Sequence, residues 1–127
     1  MIDKENEIFN AVATALRKKF KGIYVVGTEL SATPPKFPAV SFVQTNNVIK
    51  ENYSTFNSLE NVAQEDYKAE VCSNLMKGKE AQTKEITTLI SDIMSGLGYI
   101  RVFCEPVVNA DPTVNRRISR YRNNNVI

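Results

Sequence analysis

Histidine is absent from this chain of 127 residues. Its absence removes the usual general base near neutral pH, the Ser-His and Cys-His nucleophilic pairs and the most common metal ligand. Glycine is also scarce, with five in the chain. Neither the segment from Gly22 to Gly27 nor Gly96-Leu97-Gly98 continues into a loop that could cradle a phosphate. The sequence therefore argues against most hydrolases and against nucleotide-binding enzymes.

Cysteine is limited to Cys72 and Cys104, which lie far apart in the sequence and outside any C-x-x-C pair. Without histidine, two cysteines cannot complete a four-ligand zinc site, so we expect no metal ion and no other cofactor. Nothing marks the chain as secreted, and a domain of this size does not need a disulfide. Both thiols are therefore expected to be reduced and packed in the core.

Long apolar runs are missing as well, and the N-terminus has no basic segment followed by an apolar one. We therefore expect a soluble, unsecreted protein with no membrane partner. The length predicts a single domain over 1–127. The net charge of +2 is too small to imply binding to nucleic acid or to a membrane.

Two segments show the three-and-four spacing of apolar residues that is typical of amphipathic helices. The first helix is predicted from Asp3, as its N-cap, to about Lys19, and the second from Lys79 to Ser95. The apolar faces consist of Ile8, Phe9, Val12, Ala13, Leu16 and Phe20 in the first helix, and of Ala81, Ile86, Leu89, Ile90, Ile93, Met94 and Leu97 in the second.

Runs of β-branched and alternating residues predict strands at 23–26, at 39–49, from about 62, at 99–105 and from 113 to about 122. In the fourth strand, Tyr99, Arg101 and Phe103 are expected on one face, with Ile100, Val102 and Cys104 on the other. The order of elements predicts an α+β fold, a mainly antiparallel sheet of four to five strands with both helices packed on one face. The predicted core contains Phe9, Leu16, Tyr67, Val71, Ile86, Ile90 and Ile93.

Arginine is concentrated near the C-terminus, where five of the six arginines lie between Arg101 and Arg122. Along an extended strand, Arg116, Arg120 and Arg122 share one face, whereas Arg117, Ser119 and Tyr121 share the other. Three arginines on one strand face are not expected in the core. They form either a solvated edge that charge protects against aggregation or a contact surface for carboxylates or phosphates.

The polar segment at 50–61 carries isolated Tyr53, Phe56 and Leu59. Because it cannot bury enough surface alone, we expect it to be mobile in the isolated protein and to become ordered when these side chains meet a partner. Together with Arg116, Arg120 and Arg122, these three residues form the predicted interface.

Two other functional classes remain open. An enzyme could use the carboxylates of Glu65, Asp66 and Glu70, although alternating charges on the solvated face of a strand are the simpler interpretation. A nucleic-acid-binding module could use the arginine strand. It would need aromatic residues on the arginine face, whereas Tyr121 points away from it.

Short segments along the chain follow an order and spacing that resemble the tail-terminator or tail-completion (head-tail joining) proteins of long-tailed bacteriophages. After an amphipathic N-terminal helix, the segments are Ile23-Tyr24-Val25, Phe37-Pro38-Ala39-Val40-Ser41-Phe42, Tyr67-Lys68-Ala69-Glu70-Val71-Cys72-Ser73-Asn74, Gly78-Lys79, Leu97-Gly98-Tyr99, Pro106-Val107 and Arg116-Arg117-Ile118-Ser119-Arg120-Tyr121-Arg122. The same layout is shared by other neck proteins and by the tails of contractile phages and phage-derived bacteriocins.

The resemblance implies a non-enzymatic assembly protein without catalytic residues or cofactors. It would form a ring, commonly of six copies, on the head-proximal end of the tail tube, where it stops tube growth and docks the neck. The implied partners are further copies of the chain, the tail tube protein and a neck or connector protein, with no membrane and no sequence-specific nucleic acid. The implied location is the virion tail or neck, after assembly in the cytoplasm of the bacterial host.

Overall fold

A computed structural model describes residues 4–30, 34–49 and 62–126 of the chain. The elements are α1 (Glu5–Lys19), β1 (Tyr24–Val26), β2 (Ala39–Ile49), β3 (Val62–Ser73), α2 (Lys79–Gly96), β4 (Ile100–Val107) and β5 (Asn115–Val126). The N-cap of α1 is Lys4, so the predicted N-cap Asp3 is wrong. Asp3 and the segment 50–61, with Tyr53, Phe56 and Leu59, lie outside the described residues. No helix within the described residues is both long and apolar enough to cross a membrane.

The five strands form one sheet in the order β1-β2-β3-β5-β4. β1 is parallel to β2, and every other pair of neighbours is antiparallel. Both helices pack on the same face of this sheet, so the predicted α+β architecture is confirmed. The parallel direction of β1 could not be predicted, because a run of three strand residues carries no information about its neighbour.

The core lies between the helices and the sheet. Of the predicted core residues, Leu16, Tyr67, Val71, Ile86 and Ile90 are fully buried there. Phe9 and Ile93 are only partly buried and pack against its margin. Aromatic rings fill its centre: the ring of Phe42 stacks on that of Tyr67 with centroids 5.3 Å apart, and Tyr99 meets Tyr67 edge-on at 5.4 Å.

The two cysteines are free thiols, as predicted. Cys72 pairs with Arg116 on the face without helices, and Cys104 pairs with Ser119 on the helix side. Burial raises the pKa of the Cys72 thiol above its usual value. Opposite faces of the sheet therefore separate the two sulfur atoms, and both are packed by side chains, Cys72 completely and Cys104 in part.

A fully buried residue of α2 offers a direct test of this core. Ile90 is fully buried, so Ile90→Ala is expected to reduce the free energy of unfolding by about 2–5 kcal/mol through lost burial and a cavity. Asp92→Ala, two positions further along the same helix and exposed, should change it by less than about 0.5 kcal/mol. Urea unfolding measures both, and an equally small effect of the two changes would contradict this packing.

Candidate interaction surface

The arginines of β5 lie on the sheet face that carries no helices. Tyr121 and Ser119 point to the helix side, where they are buried, so the alternating Arg116, Arg120 and Arg122 point away from it. This arrangement agrees with the predicted alternation. The face is divided into a covered half at the Arg116 end and an open half at the Arg120 and Arg122 end.

The covered half lies beneath the chain segments that lead into β2 and β5. A small apolar cluster forms there from Ala39, Cys72 and Val114, against which Tyr24, Leu30 and Phe37 pack. The hydroxyl of Ser41 donates a hydrogen bond of 2.6 Å to the carbonyl oxygen of Thr28. The connection between β1 and β2 is thereby tied to the sheet and shields this half from water.

Arg116 lies inside the covered half, with 8% of its surface exposed. Its Nη1 is 2.5 Å from a carboxylate oxygen of Glu70, and its Nε donates to Asn109 at 3.1 Å. Glu70 also lies 3.3 Å from the ammonium of Lys68, which is 2.7 Å from Glu29. The expectation that all three arginines lie outside the core therefore does not hold for Arg116, because its tertiary contacts with Glu70 and Asn109 could not be foreseen from alternation along β5.

Arg122, in the open half, forms a bidentate ion pair with Asp66. Its Nε and Nη2 donate to the two carboxylate oxygens at 2.9 and 3.3 Å, while about half of the Arg122 side chain stays exposed. Partial burial by itself raises the pKa of Asp66, but hydrogen bonds from Arg122 and Asn46 and the charge of Arg122 outweigh it. The pKa of Asp66 is thus held below its ordinary value of 3.8.

Arg120 is exposed, and its guanidinium lies 5.7 Å from the centre of the Phe103 ring. This distance allows a cation–π contact. Among the described residues, no carboxylate forms an ion pair with Arg120. Its five N–H donors remain directed largely towards solvent or a partner.

The sheet edge next to these arginines is apolar and exposed. β4 has no neighbouring strand on its outer side in the described sheet, and Ile100 and Val102 are 74% and 51% exposed. They line a shallow cleft of about 230 Å³ together with Arg122, Gln64 and Asn123. We call Ile100, Val102, Phe103, Arg120 and Arg122 the β4 surface.

Sequence alternation did not place Phe103 on this surface. The register between β4 and β5 shifts between Arg101 and Phe103, so Ile100 pairs with Arg122 and Phe103 with Arg120. Because of this irregularity Ile100 and Phe103 share one face, and the predicted assignment of Phe103 to the face of Arg101 is wrong. An extra residue in an edge strand leaves no clear signal in the sequence.

The carboxylates considered for acid–base chemistry do not come together. Glu65 is fully buried on the helix side, whereas Asp66 and Glu70 lie on the opposite face, each in the ion pairs described above. Glu65 accepts hydrogen bonds from the Tyr99 hydroxyl at 2.9 Å, the Lys4 amide at 3.1 Å and side-chain amides at 3.3 and 3.4 Å. Such a saturated buried carboxylate is typical of a structural role.

The pairing of Asp66 predicts how stability depends on pH. Because folding lowers the pKa of Asp66, the pair stabilises the fold above the unfolded-state pKa of about 3.9 and loses its effect as the pH falls through the folded-state value. Asp66→Asn should therefore lower the melting temperature at pH 7, and the difference from the parent should shrink progressively below pH 4. Thermal melts from pH 7 to pH 2 measure this. A difference that stays constant with pH would contradict it.

No known protein-family model matches the chain, and no curated protein matches its sequence.

Proposed function

We propose that this protein is a non-enzymatic virion assembly protein that forms a ring on the head-proximal end of a phage tail tube. The ring ends tube growth and offers the neck a docking surface. The observation that supports this best is the β4 surface, where exposed Ile100 and Val102 adjoin Arg120 and Arg122 along an unpartnered sheet edge. Contiguous apolar residues and arginine are the composition of protein interfaces rather than of inert surface.

A second apolar surface lies at the other end of the strands. Leu75, Met76 and Val108 are 44%, 101% and 96% exposed, and Leu75 and Met76 border a cleft of about 340 Å³ with Pro112 and Thr113. This end of the sheet is opposite to the one that carries the β4 surface, since Ser73 pairs with Asn115 and Ile100 with Arg122. We call Leu75, Met76 and Val108 the tip surface.

Two unlike surfaces at opposite ends of one domain suit a ring. Contacts between different surfaces of identical subunits propagate head to tail and close into a ring when the rotation returns to the start. The tip surface is apolar and the β4 surface carries two guanidiniums, so the two are not copies of each other. The apolar tip surface offers Arg120 and Arg122 no carboxylate, so these two arginines can meet carboxylates of the tail tube protein or of the neck or connector protein.

The proposal is tested by omitting the protein from a tail assembly reaction. Electron microscopy should then show tails of uncontrolled length, whereas addition of the parent protein restores a single length. Light scattering of the isolated protein should reveal an equilibrium from monomer to ring that depends on concentration, and Met76→Asp should shift it to monomer. Tails of normal length without the protein would refute the terminator function.

Nucleic-acid binding is the second candidate, and one observation favours it. Phe103 lies on the same face as Arg120 and Arg122, directly opposite Arg120 in the register. Single-stranded nucleic acid is commonly bound by aromatic rings beside arginines. The charge-reversal experiment at the end of the Discussion separates this candidate from the assembly protein.

A further inference from the structure

On the helix side of the sheet, a cleft of about 220 Å³ lies between α2 and the strands β4 and β5. Its walls carry positive charge and hydroxyl groups but no carboxylate, and they consist of Lys84, Thr87, Thr88, Arg101, Cys104 and Arg117. None of its three cationic side chains forms an ion pair with another described residue. The cleft is thus a concentration of positive charge without an internal counter-charge.

Two of the residues that line the cleft each hold a buried polar atom without a hydrogen-bond partner among the described residues. These atoms are the hydroxyl oxygen of Thr87, a residue only 4% exposed, and Nε of Arg117. Burying an unsatisfied donor destabilises the fold, and native proteins contain few such groups. Two of them in one small cleft indicate that something outside the chain completes the hydrogen bonding.

The guanidinium of Arg117 is oriented by its neighbour. Its Nη1 lies 3.9 Å from Sγ of Cys104, which leaves the edge that contains Nε for another acceptor. This edge is the one that Arg122 presents to both oxygens of Asp66. Arginine therefore offers in the cleft the planar fork that matches two oxygens of a carboxylate or phosphate.

We propose that this cleft is a binding site for a phosphate group. Arg117 donates through its fork, the Thr87 hydroxyl donates a further hydrogen bond, and Lys84 and Arg101 balance the charge at the exposed rim. Three cations favour a doubly charged phosphate over a singly charged carboxylate. The site does not depend on the proposed assembly function, because it lies on the opposite face from Arg120 and Arg122.

Titration with sodium phosphate at constant ionic strength, followed by amide NMR shifts of Thr87 and Thr88, tests the site. The parent protein should show a saturable response that sodium chloride does not give. Arg101→Gln and Lys84→Gln alter exposed residues and should leave folding intact while each weakens phosphate binding about tenfold, a change of about 1.4 kcal/mol. Arg17→Gln, which removes the same charge at the exposed end of α1, should bind like the parent.

Thr87→Val separates binding from packing. It keeps the shape of the side chain and removes a buried hydroxyl that has no partner among the described residues, so without phosphate it should be at least as stable as the parent. Its phosphate affinity should nevertheless fall several-fold. A threonine that serves packing alone would lose no affinity, and that outcome would remove Thr87 from the site.

The source of the phosphate is distinguished with a short DNA duplex as a second probe. If the phosphate belongs to nucleic acid, inorganic phosphate should displace the duplex, and Arg101→Gln should weaken both. If the phosphate belongs to a small molecule, the parent protein should still bind inorganic phosphate, but Arg101→Gln should leave the affinity for the duplex unchanged. The absence of a saturable response to phosphate, or equal responses of the parent, Arg101→Gln and Lys84→Gln, would overturn the proposal.

Discussion

Replacing Glu70 by alanine is expected to reduce the free energy of unfolding by about 3–5 kcal/mol, because it removes the buried carboxylate that pairs with the guanidinium of Arg116. Glu70 is 6% exposed and Arg116 8% exposed, and the two groups are 2.5 Å apart. Urea unfolding of Glu70→Ala and of the parent at pH 7 measures the difference.

A matched control and a double replacement show whether the charge is responsible. Glu105 is an exposed carboxylate on β4, and Glu105→Ala should change stability by less than about 0.5 kcal/mol. Replacing both members of the pair, as in Glu70→Leu with Arg116→Met, should recover much of the loss because both buried charges are then removed together. A loss below about 1 kcal/mol in Glu70→Ala would show that the pair is solvated and that Arg116 can reach a partner.

This buried pair limits which arginines can serve an interface. The sequence interpretation grouped Arg116, Arg120 and Arg122 because all three occupy one strand face, and their orientation agrees with that. Arg116 is held by contacts with Glu70 on β3 and with Asn109 between β4 and β5, and no periodicity in β5 reports these contacts. We therefore assign Arg116 to the fold and keep Arg120 and Arg122 as the candidates for external contacts.

The helices and strands were predictable because their apolar residues repeat with the period of each element. β2 begins at Ala39 and ends at Ile49 as predicted, and α2 ends one residue beyond the predicted Ser95. The ends of strands that depend on pairing with a neighbouring strand were less predictable. β5 extends past Arg122 to Val126 through polar residues, since β3 offers it partners as far as Val62.

The irregularity in β4 had the largest consequence for the candidate surface. Strict alternation separates Phe103 from Ile100, whereas the register shift brings both beside the arginines. The phosphate cleft was missed for another reason. Its residues come from α2, β4 and β5, so only the tertiary arrangement brings Lys84, Arg101 and Arg117 together.

Reversing the charges of Arg120 and Arg122 to glutamate is expected to abolish docking of the protein on the proposed tail or neck partner without unfolding it. Both side chains are exposed, and the pair of Arg122 with Asp66 is the one internal ion pair among the described residues that the change removes. Arginine forks on the carboxylates of a partner give orientation and specificity, and glutamate at these positions would repel those carboxylates. Binding to purified tails, measured by cosedimentation, reports the effect.

A control variant keeps the change in net charge but moves it away from the β4 surface. Arg17→Glu with Lys19→Glu alters two exposed cations at the end of α1 and should leave docking intact. Circular dichroism and thermal melts of both variants confirm that each is folded. Loss of docking in both variants would indicate a general electrostatic attraction between the protein and its partner. The assignment of docking to the β4 surface would then fail.

The same variants decide between a protein partner and DNA. In the proposed ring, both arginines would be repeated in every subunit around the path of the genome if β5 faced the lumen, and each phosphate they neutralised would add about 0.9 to the salt slope of log affinity for duplex. Such a ring would hold the DNA that has to pass, so we expect the arginines to contact protein carboxylates instead. Duplex binding by the parent should thus be weak and unaffected by Arg120→Glu with Arg122→Glu. If docking and ring formation survive this change while a salt-sensitive DNA affinity disappears, the arginines serve nucleic acid and the assembly interface lies elsewhere.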